Sequence, residues 1–219
     1  MFRNREDAGR RLAARLKGRE LRNPLVLAIP RGGVVVGAAL ARELGAELDV
    51  VLARKLRAPN QPEFAIGVIS ETGRVYLSQH AERLAGLFAD YLAEEVRFQR
   101  REIERRRELF RRARPPAPVA GRSVIVTDDG LTTGATMTAA LRVVKSLHPH
   151  ELIVAVPVAS PDRLAEVRRS CDEVICLFAP EAFAAIGPFC ADFRQVEDEE
   201  VVQLLQAAAP DHRSATRAG

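Results

Sequence analysis

The chain has 219 residues, of which 47% are hydrophobic and 28% charged, with a formal net charge of +4. No apolar run approaches the roughly 20 residues that span a bilayer, and residues 1–11 are charged throughout, which excludes an apolar signal segment there. The balance is that of one globular domain with room for a sizeable core, expected in the cytoplasm, and its basic excess favours phosphate-rich small molecules and nucleic acid alike.

Residues 2–19 carry apolar side chains at helical spacing (Phe2, Ala8, Leu12, Leu16) with arginines between them, predicting an amphipathic helix stopped by Gly18. Residues 25–29 read as a short apolar strand. Pro30-Arg31-Gly32-Gly33 follows, then residues 34–44 as a helix closed by Gly45. A strand, a glycine turn and a helix start make an anion site at one edge of a parallel sheet. The turn is no dinucleotide fingerprint, because G-x-G-x-x-G from Gly32 needs glycine where Val34 stands. Residues 48–53 (L-D-V-V-L-A) read as a third strand, with Arg54 and Lys55 at its carboxyl end as two cations that call for a counter-ion.

Residues 64–69 and 75–77 are β-type runs around Glu71-Thr72-Gly73-Arg74, which predicts a hairpin. Residues 59–63 just before it suit a hinge or lid. Residues 80–114 read as one long helix without proline. Its second half is dense in arginine, with glutamate three or four positions away, so a solvated, salt-bridged face is the default. The competing reading is a nucleic-acid contact through phosphate neutralisation. Pro115-Pro116-Ala117-Pro118 ends this helix as a stiff linker.

The chain is organised around residues 123–136, S-V-I-V-T-D-D-G-L-T-T-G-A-T. Val124, Ile125 and Val126 suit a buried parallel strand. Asp128 and Asp129 stand where that strand ends, and Thr132, Thr133, Gly134, Ala135 and Thr136 lead into a helical pattern over 137–147. A small-residue turn at a helix start offers backbone N–H groups and the positive end of a helix dipole to a phosphate. The carboxylates can accept hydrogen bonds from sugar hydroxyls or sit near magnesium. A ribose carrying a 5-phosphate needs both at this spacing.

Beyond it, residues 151–158 and 173–178 are further buried strands, and Ser160-Pro161 opens a helix between them. The β-α alternation predicts an α/β fold, a mainly parallel sheet covered on both faces. Residues 179–206 differ in composition, with Phe183, Phe189 and Phe193 among Pro180, Gly187 and Pro188, and residues 207–219 are a polar tail expected to be disordered. Cys171, Cys176 and Cys190 have no C-x-x-C spacing and the four histidines are scattered, so the cysteines read as small buried hydrophobes in a reducing compartment and no histidine is assigned to a metal.

Residues 123–136 resemble the signature of the type I phosphoribosyltransferases: apolar residues, an acidic pair, two variable positions, then T-T-G-x-T or A-T-G-x-T. The departures are Thr127, in a slot that is usually apolar, and Gly130, in one often filled by Val or Ile. The resemblance implies that Asp128 and Asp129 bind the ribose hydroxyls of phosphoribosyl pyrophosphate (PRPP), and that Thr132 to Thr136 cradle its 5-phosphate. It implies pyrophosphate binding by Arg31, Gly32 and Gly33 in the loop after the first core strand, and by Arg54 and Lys55. Mg2+ would accompany the donor, with Asp128 and Asp129 as its nearest protein candidates, and one of the two as candidate general base. A small hood over residues 179–206, joined by 1–23, would hold the acceptor near Phe183 and Phe193, over a core of about 24–178. Members of the family are often dimers, which extends to a homodimer here.

The layout also resembles a bacterial and archaeal group called predicted phosphoribosyltransferases, through P-R-G-G at 30–33, R-K-x-x-A-P-x-x-P-E-F-A-I-G at 54–67, D-D-G-x-x-T-G at 128–134 and Asp192-Phe193. That implies transfer of phosphoribose from PRPP to a nucleobase-like acceptor. Two other readings stand beside it. One is a PRPP-binding regulator whose basic helix, 97–112, meets nucleic acid. The other is a phosphohydrolase using the acidic pair for magnesium, against which the chain lacks G-x-x-x-x-G-K-[ST].

Overall fold

Four consecutive apolar residues, Leu25–Ala28, form strand β1, and all four are buried. Unbroken apolar runs of this kind suit a strand flanked by strands on both sides and by helices on both faces. The computed structural model describes residues 1–59, 61–183 and 185–208, so the tail expected from 207 onward lies outside the described residues except for Ala207 and Ala208.

The main sheet has five parallel strands. In spatial order they are β2 (Glu47–Val50), β1, β6 (Ser123–Thr127), β7 (Glu151–Val158) and β8 (Glu173–Phe178). Successive side chains take opposite faces, as strand geometry requires. Val26, Ala28, Ile125 and Ile153 enter one core, packed on α1 (Arg5–Leu16), α2 (Gly32–Leu44), α4 (Ala89–Ala113) and α7 (Asp198–Ala207). Leu25, Leu27, Val124, Val126 and Val154 enter the other, under α5 (Ala135–Lys145) and α6 (Pro161–Val167). The α/β class and the two covered faces are as the alternation predicts.

β1 and β6 are neighbours, with Ala28 opposite Thr127. The two turns read from the sequence as anion sites therefore leave the sheet side by side.

Three local differences matter. The run 48–53 does not remain one strand. β2 stops at Val50, buried Val51 and Leu52 cross over, and Ala53 opens β3 (Ala53–Ala58) in a second, antiparallel sheet with β4 (Gln61–Ser70) and β5 (Val75–Leu77). Arg54 and Lys55 thus lie inside a strand instead of following one. The hairpin around 71–74 forms as expected, but of the segment expected as a hinge or lid, Asn60 lies outside the described residues and 61–63 belong to β4. The helix expected over 80–114 is interrupted: α3 (Gln79–Leu84) gives way to a 3-10 turn at Ala85–Phe88 before α4 begins. Gly86 sits in that turn, where its poor helix propensity weakens the continuous pattern.

α4 is anchored by its own charges. Arg57 donates to both carboxylate oxygens of Glu95 at 2.8 Å, and Gln99 donates to Glu95 as well. Burial pushes the Glu95 carboxyl up, but those donors outweigh it and hold the pKa at about 2. At the other end Arg111 pairs with Asp49 at 2.6 Å and Glu71 at 3.0 Å, and buried Arg114 pairs with Glu47. The rest of the helix carries the solvated face expected of it, with Arg97, Arg101 and Arg112 exposed and Arg107 paired to Glu104 three positions away. No helix among the described residues is long and apolar enough to cross a membrane.

Candidate functional site

The site begins where β1 and β6 end. Ile29 N–H donates to the Thr127 carbonyl at 2.9 Å, carrying the register one step past the strands. The Pro30–Arg31 peptide that follows is cis, and α2 starts at Gly32. Both glycines are required by close approach. A Cβ on Gly33 would lie 2.9 Å from Asp128 Cα and 3.1 Å from the Thr127 carbonyl oxygen. A Cβ on Gly32 would lie 1.9 Å from Asp129 Oδ2. The Arg31-Gly32-Gly33 turn is thus packed directly on the acidic pair.

Asp128 and Asp129 are both half-buried. Asp129 N–H donates to Asp128 Oδ1 at 2.8 Å. Burial, and then the neighbouring Asp129 charge, raise the Asp128 pKa well above the usual carboxylate range. Asp129 has a partner that sequence reading missed: Arg5, whose Nε donates to Asp129 Oδ2 at 2.8 Å while its NH1 donates to the Arg194 carbonyl at 2.7 Å. The same guanidinium lies 3.9 Å from the centroid of the Phe193 ring. The available signal is periodicity, since Arg5 stands three residues from both Phe2 and Ala8 on the apolar stripe of the first helix, and a cation in a first turn needs something to oppose the dipole.

The two departures from the signature have local reasons. Thr127 is fully buried, and its hydroxyl donates to the Ala155 carbonyl at 2.6 Å, so its polarity is satisfied within the sheet. Gly130 lies under Ile186, whose Cγ1 would be 2.7 Å from any Cβ there. That contact sets Ile186 over the acidic turn, and nearby Phe2 N–H donates to the Phe189 carbonyl at 2.8 Å. Phe183 pairs with Phe189, their centroids 5.8 Å apart, whereas Phe193 packs on Arg5.

A cleft of about 490 Å³ opens beside this junction. Ile29 and Pro30 come to it from the β1 turn, Arg54, Lys55 and Arg57 from β3, and Thr133, Ala135 and Thr136 from the start of α5. The first N–H groups of α5 have no intrahelical partner, and its N-cap, Gly134 (φ 72°), offers no side chain to cap them. Gln99, Ile103 and Arg106 close the cleft from α4. Arg54 Nε donates to Gln99 Oε1 at 2.6 Å. Arg31 is turned to Glu197 at 3.1 Å. Arg31, Thr132 and Gly134 stand next in sequence to lining residues, whereas Asp128, Asp129, Gly32 and Gly33 neither line the cleft nor neighbour in sequence a residue that does.

No group of three or more His, Cys, Asp or Glu among the described residues could hold a metal ion. The cysteines stay free, with thiol pKa values raised by burial, that of Cys171 to about 11.

Comparison with known proteins agrees with this architecture. The family model described as "Phosphoribosyl transferase domain" matches residues 2–194. A solved structure of TT1426 from Thermus thermophilus superposes with a TM-score of 0.90 at 46% identity, covering 95% of this chain and 99% of that one. Mycobacterium tuberculosis proteins of strains CDC 1551 / Oshkosh and ATCC 25618 / H37Rv, each named "Putative phosphoribosyl transferase", are 41% identical over all 219 residues. The chain spans about half the length of these curated relatives, 49%. With the family model covering most of the chain, and with an acidic pair set against a glycine turn at the edge of the sheet, the chain belongs to the phosphoribosyl transferase family.

Proposed function

We propose that the chain transfers phosphoribose from PRPP to a nucleobase-like acceptor and releases pyrophosphate. The observation that carries this reading is the packing of Gly32 and Gly33 on Asp129 and Asp128 beside a cleft lined by Arg54, Lys55, Thr133 and Thr136. One donor uses all of these at once. Its ribose hydroxyls meet Asp128 and Asp129, and its 5-phosphate takes the N–H groups at Thr132–Thr136, of which Ala135 N–H reaches the Thr133 hydroxyl at 3.4 Å. Its diphosphate meets the Arg31-Gly32-Gly33 turn with Arg54 and Lys55.

In the reaction the C1–O bond to pyrophosphate breaks as a bond from C1 to an acceptor nitrogen forms, and the acceptor loses a proton. Charge develops on the sugar, as in glycoside cleavage, and carboxylates held close to the ring offset it. Holding the phosphate by backbone lets remote binding energy orient the sugar. Asp128 is the candidate proton acceptor, its basicity raised by burial and the neighbouring Asp129 charge.

Magnesium fits the donor set in a limited way. Asp128 and Asp129 each commit one oxygen, to Asp129 N–H and to Arg5, and magnesium characteristically takes one or two carboxylates with the rest of its shell from water and phosphate. When bound it would neutralise the leaving diphosphate.

Residues 179–206 with 1–23 form the hood in this reading, and Phe193 packs on the Arg5 guanidinium that holds Asp129. Screening nucleobases with PRPP and magnesium for pyrophosphate release tests the proposal. Release that depends on one class of base supports it, and no release with any base counts against transfer.

A further inference from the structure

One face of α4 lies against the cleft, and that face is not apolar. Val96, Gln99, Ile103, Arg106 and Phe110 recur at alternating spacings of three and four, the seam of a packed helix. Ile103 and Phe110 are buried in the core, Gln99 is 2% exposed, and Arg106 lies between them, half-buried. An arginine in such a seam needs a counter-ion.

Its surroundings supply mostly the opposite. Burial pushes the Arg106 guanidinium's pKa down; Asp198 opposes this, while Arg54, Arg31 and Arg105 add to it. The nearby acceptors are engaged elsewhere, except Asp198 Oδ1, which is buried without a partner among the described residues and makes no bond to Arg106. Asp198 takes Arg105 at 3.2 Å, Glu197 takes Arg31 at 3.1 Å, and Gln99 takes Arg54 at 2.6 Å. Among the described residues, Arg106 makes no hydrogen bond or ion pair of its own. A cation is thus held at the wall of a cleft, among other cations, where an anion would satisfy it.

We propose that Arg106 is a binding residue for the diphosphate leaving group, supplied to the cleft by the long helix. This rests on the phosphoribosyl-donor reading above. It gives the basic helix a role that needs no nucleic acid: the inward-facing arginine meets the ligand, and its neighbours are ion-paired or solvated. Removing Arg106 should therefore do two opposite things, weakening ligand binding and relieving repulsion in the free protein.

The test uses inorganic pyrophosphate with magnesium, ribose 5-phosphate, and PRPP as calorimetric probes. The proteins are wild type, Arg106→Met, Arg106→Lys and Arg112→Gln, the last an exposed charge-matched control on the same helix. Losing one charge-assisted contact should weaken pyrophosphate binding roughly tenfold or more in Arg106→Met. Lys should recover part of that, Gln at 112 should change nothing, and ribose 5-phosphate should bind Arg106→Met as it binds wild type. The urea midpoint of the free Arg106→Met protein should rise.

The inference is overturned if Arg106→Met binds pyrophosphate within about twofold of wild type, or if ribose 5-phosphate is weakened equally. A fall in the urea midpoint accompanying the loss of affinity also overturns it, since that marks a structural arginine. So does a wild-type protein that takes no pyrophosphate. A wild type that takes pyrophosphate in an Arg106-dependent way but not PRPP sinks the donor reading and leaves the anion site standing.

Discussion

Arg5 Nε donates to Asp129 Oδ2 at 2.8 Å, and both side chains are largely shielded, at 10% and 15% exposure. The first helix of the chain thus fixes the orientation of an acid that follows a central strand of the main sheet. Because Arg5 also reaches the Arg194 carbonyl and the Phe193 ring, one guanidinium joins the segments flanking the site at both ends of the chain. Replacing it by Gln should cost about 1–3 kcal/mol of stability, the range for a shielded hydrogen bond to a charged group. Urea unfolding of Arg5→Gln, Asp129→Asn and the double variant measures this; a coupling of about 1 kcal/mol or more is expected between the two sites.

The two glycines of the β1 turn should fail differently when given a methyl group. At Gly33 the new Cβ meets backbone, Asp128 Cα at 2.9 Å and the Thr127 carbonyl oxygen at 3.1 Å. Neither can rotate away. Gly33→Ala should therefore lose roughly 1–3 kcal/mol of stability as well as donor binding. At Gly32 the obstacles are side chains, the Asp129 carboxylate at 1.9 Å and Arg5 Nε at 2.9 Å, which can shift only by giving up their mutual bond. Gly32→Ala should lose no more stability than Arg5→Gln while losing donor affinity, and adding it to Arg5→Gln should cost little further stability. Thermal unfolding beside a PRPP titration separates the two.

Asp128 gives a pH signature. A carboxyl whose pKa is raised on folding holds its proton more tightly in the folded chain than in the unfolded one. Its penalty is absent below the ordinary value of 3.8 and grows as pH rises through the raised one. Asp128→Asn removes that penalty. The variant should be more stable than wild type at about pH 8, with the gap closing by about pH 4. Urea unfolding at both values checks it; equal stability at the higher pH would mean that Asp128 is not strained by its surroundings.

What could be read in the sequence was what is local. The acidic pair and the T-T-G-A-T turn occupy one strand-turn-helix unit, so their spacing alone carries their chemistry, and P-R-G-G reads the same way. Residues assembled from afar left weaker traces. Arg5 reaches Asp129 across most of the chain, and the periodicity that turns it inward does not tell which residue it meets. β3 was hidden because L-D-V-V-L-A is apolar through the point where the chain leaves one sheet for another, and the new strand's own signal is only the alternation that buries Leu56 and Ala58. In the long helix the arginines were read by composition. Arg107 and Glu104 pair three positions apart on the exposed face as that reading expects, but the partners of Arg111 and Arg114 (Asp49, Glu71 and Glu47) come from other elements, which composition does not show.

Calorimetric titration with PRPP and magnesium into wild type and into the Asp128→Asn/Asp129→Asn double variant is the most direct measurement. The predicted result is a single saturable site in the wild type and no binding heat in the double variant, whose circular dichroism should stay that of the wild type. Equal affinity in the two proteins, or none in a folded wild type, would contradict it.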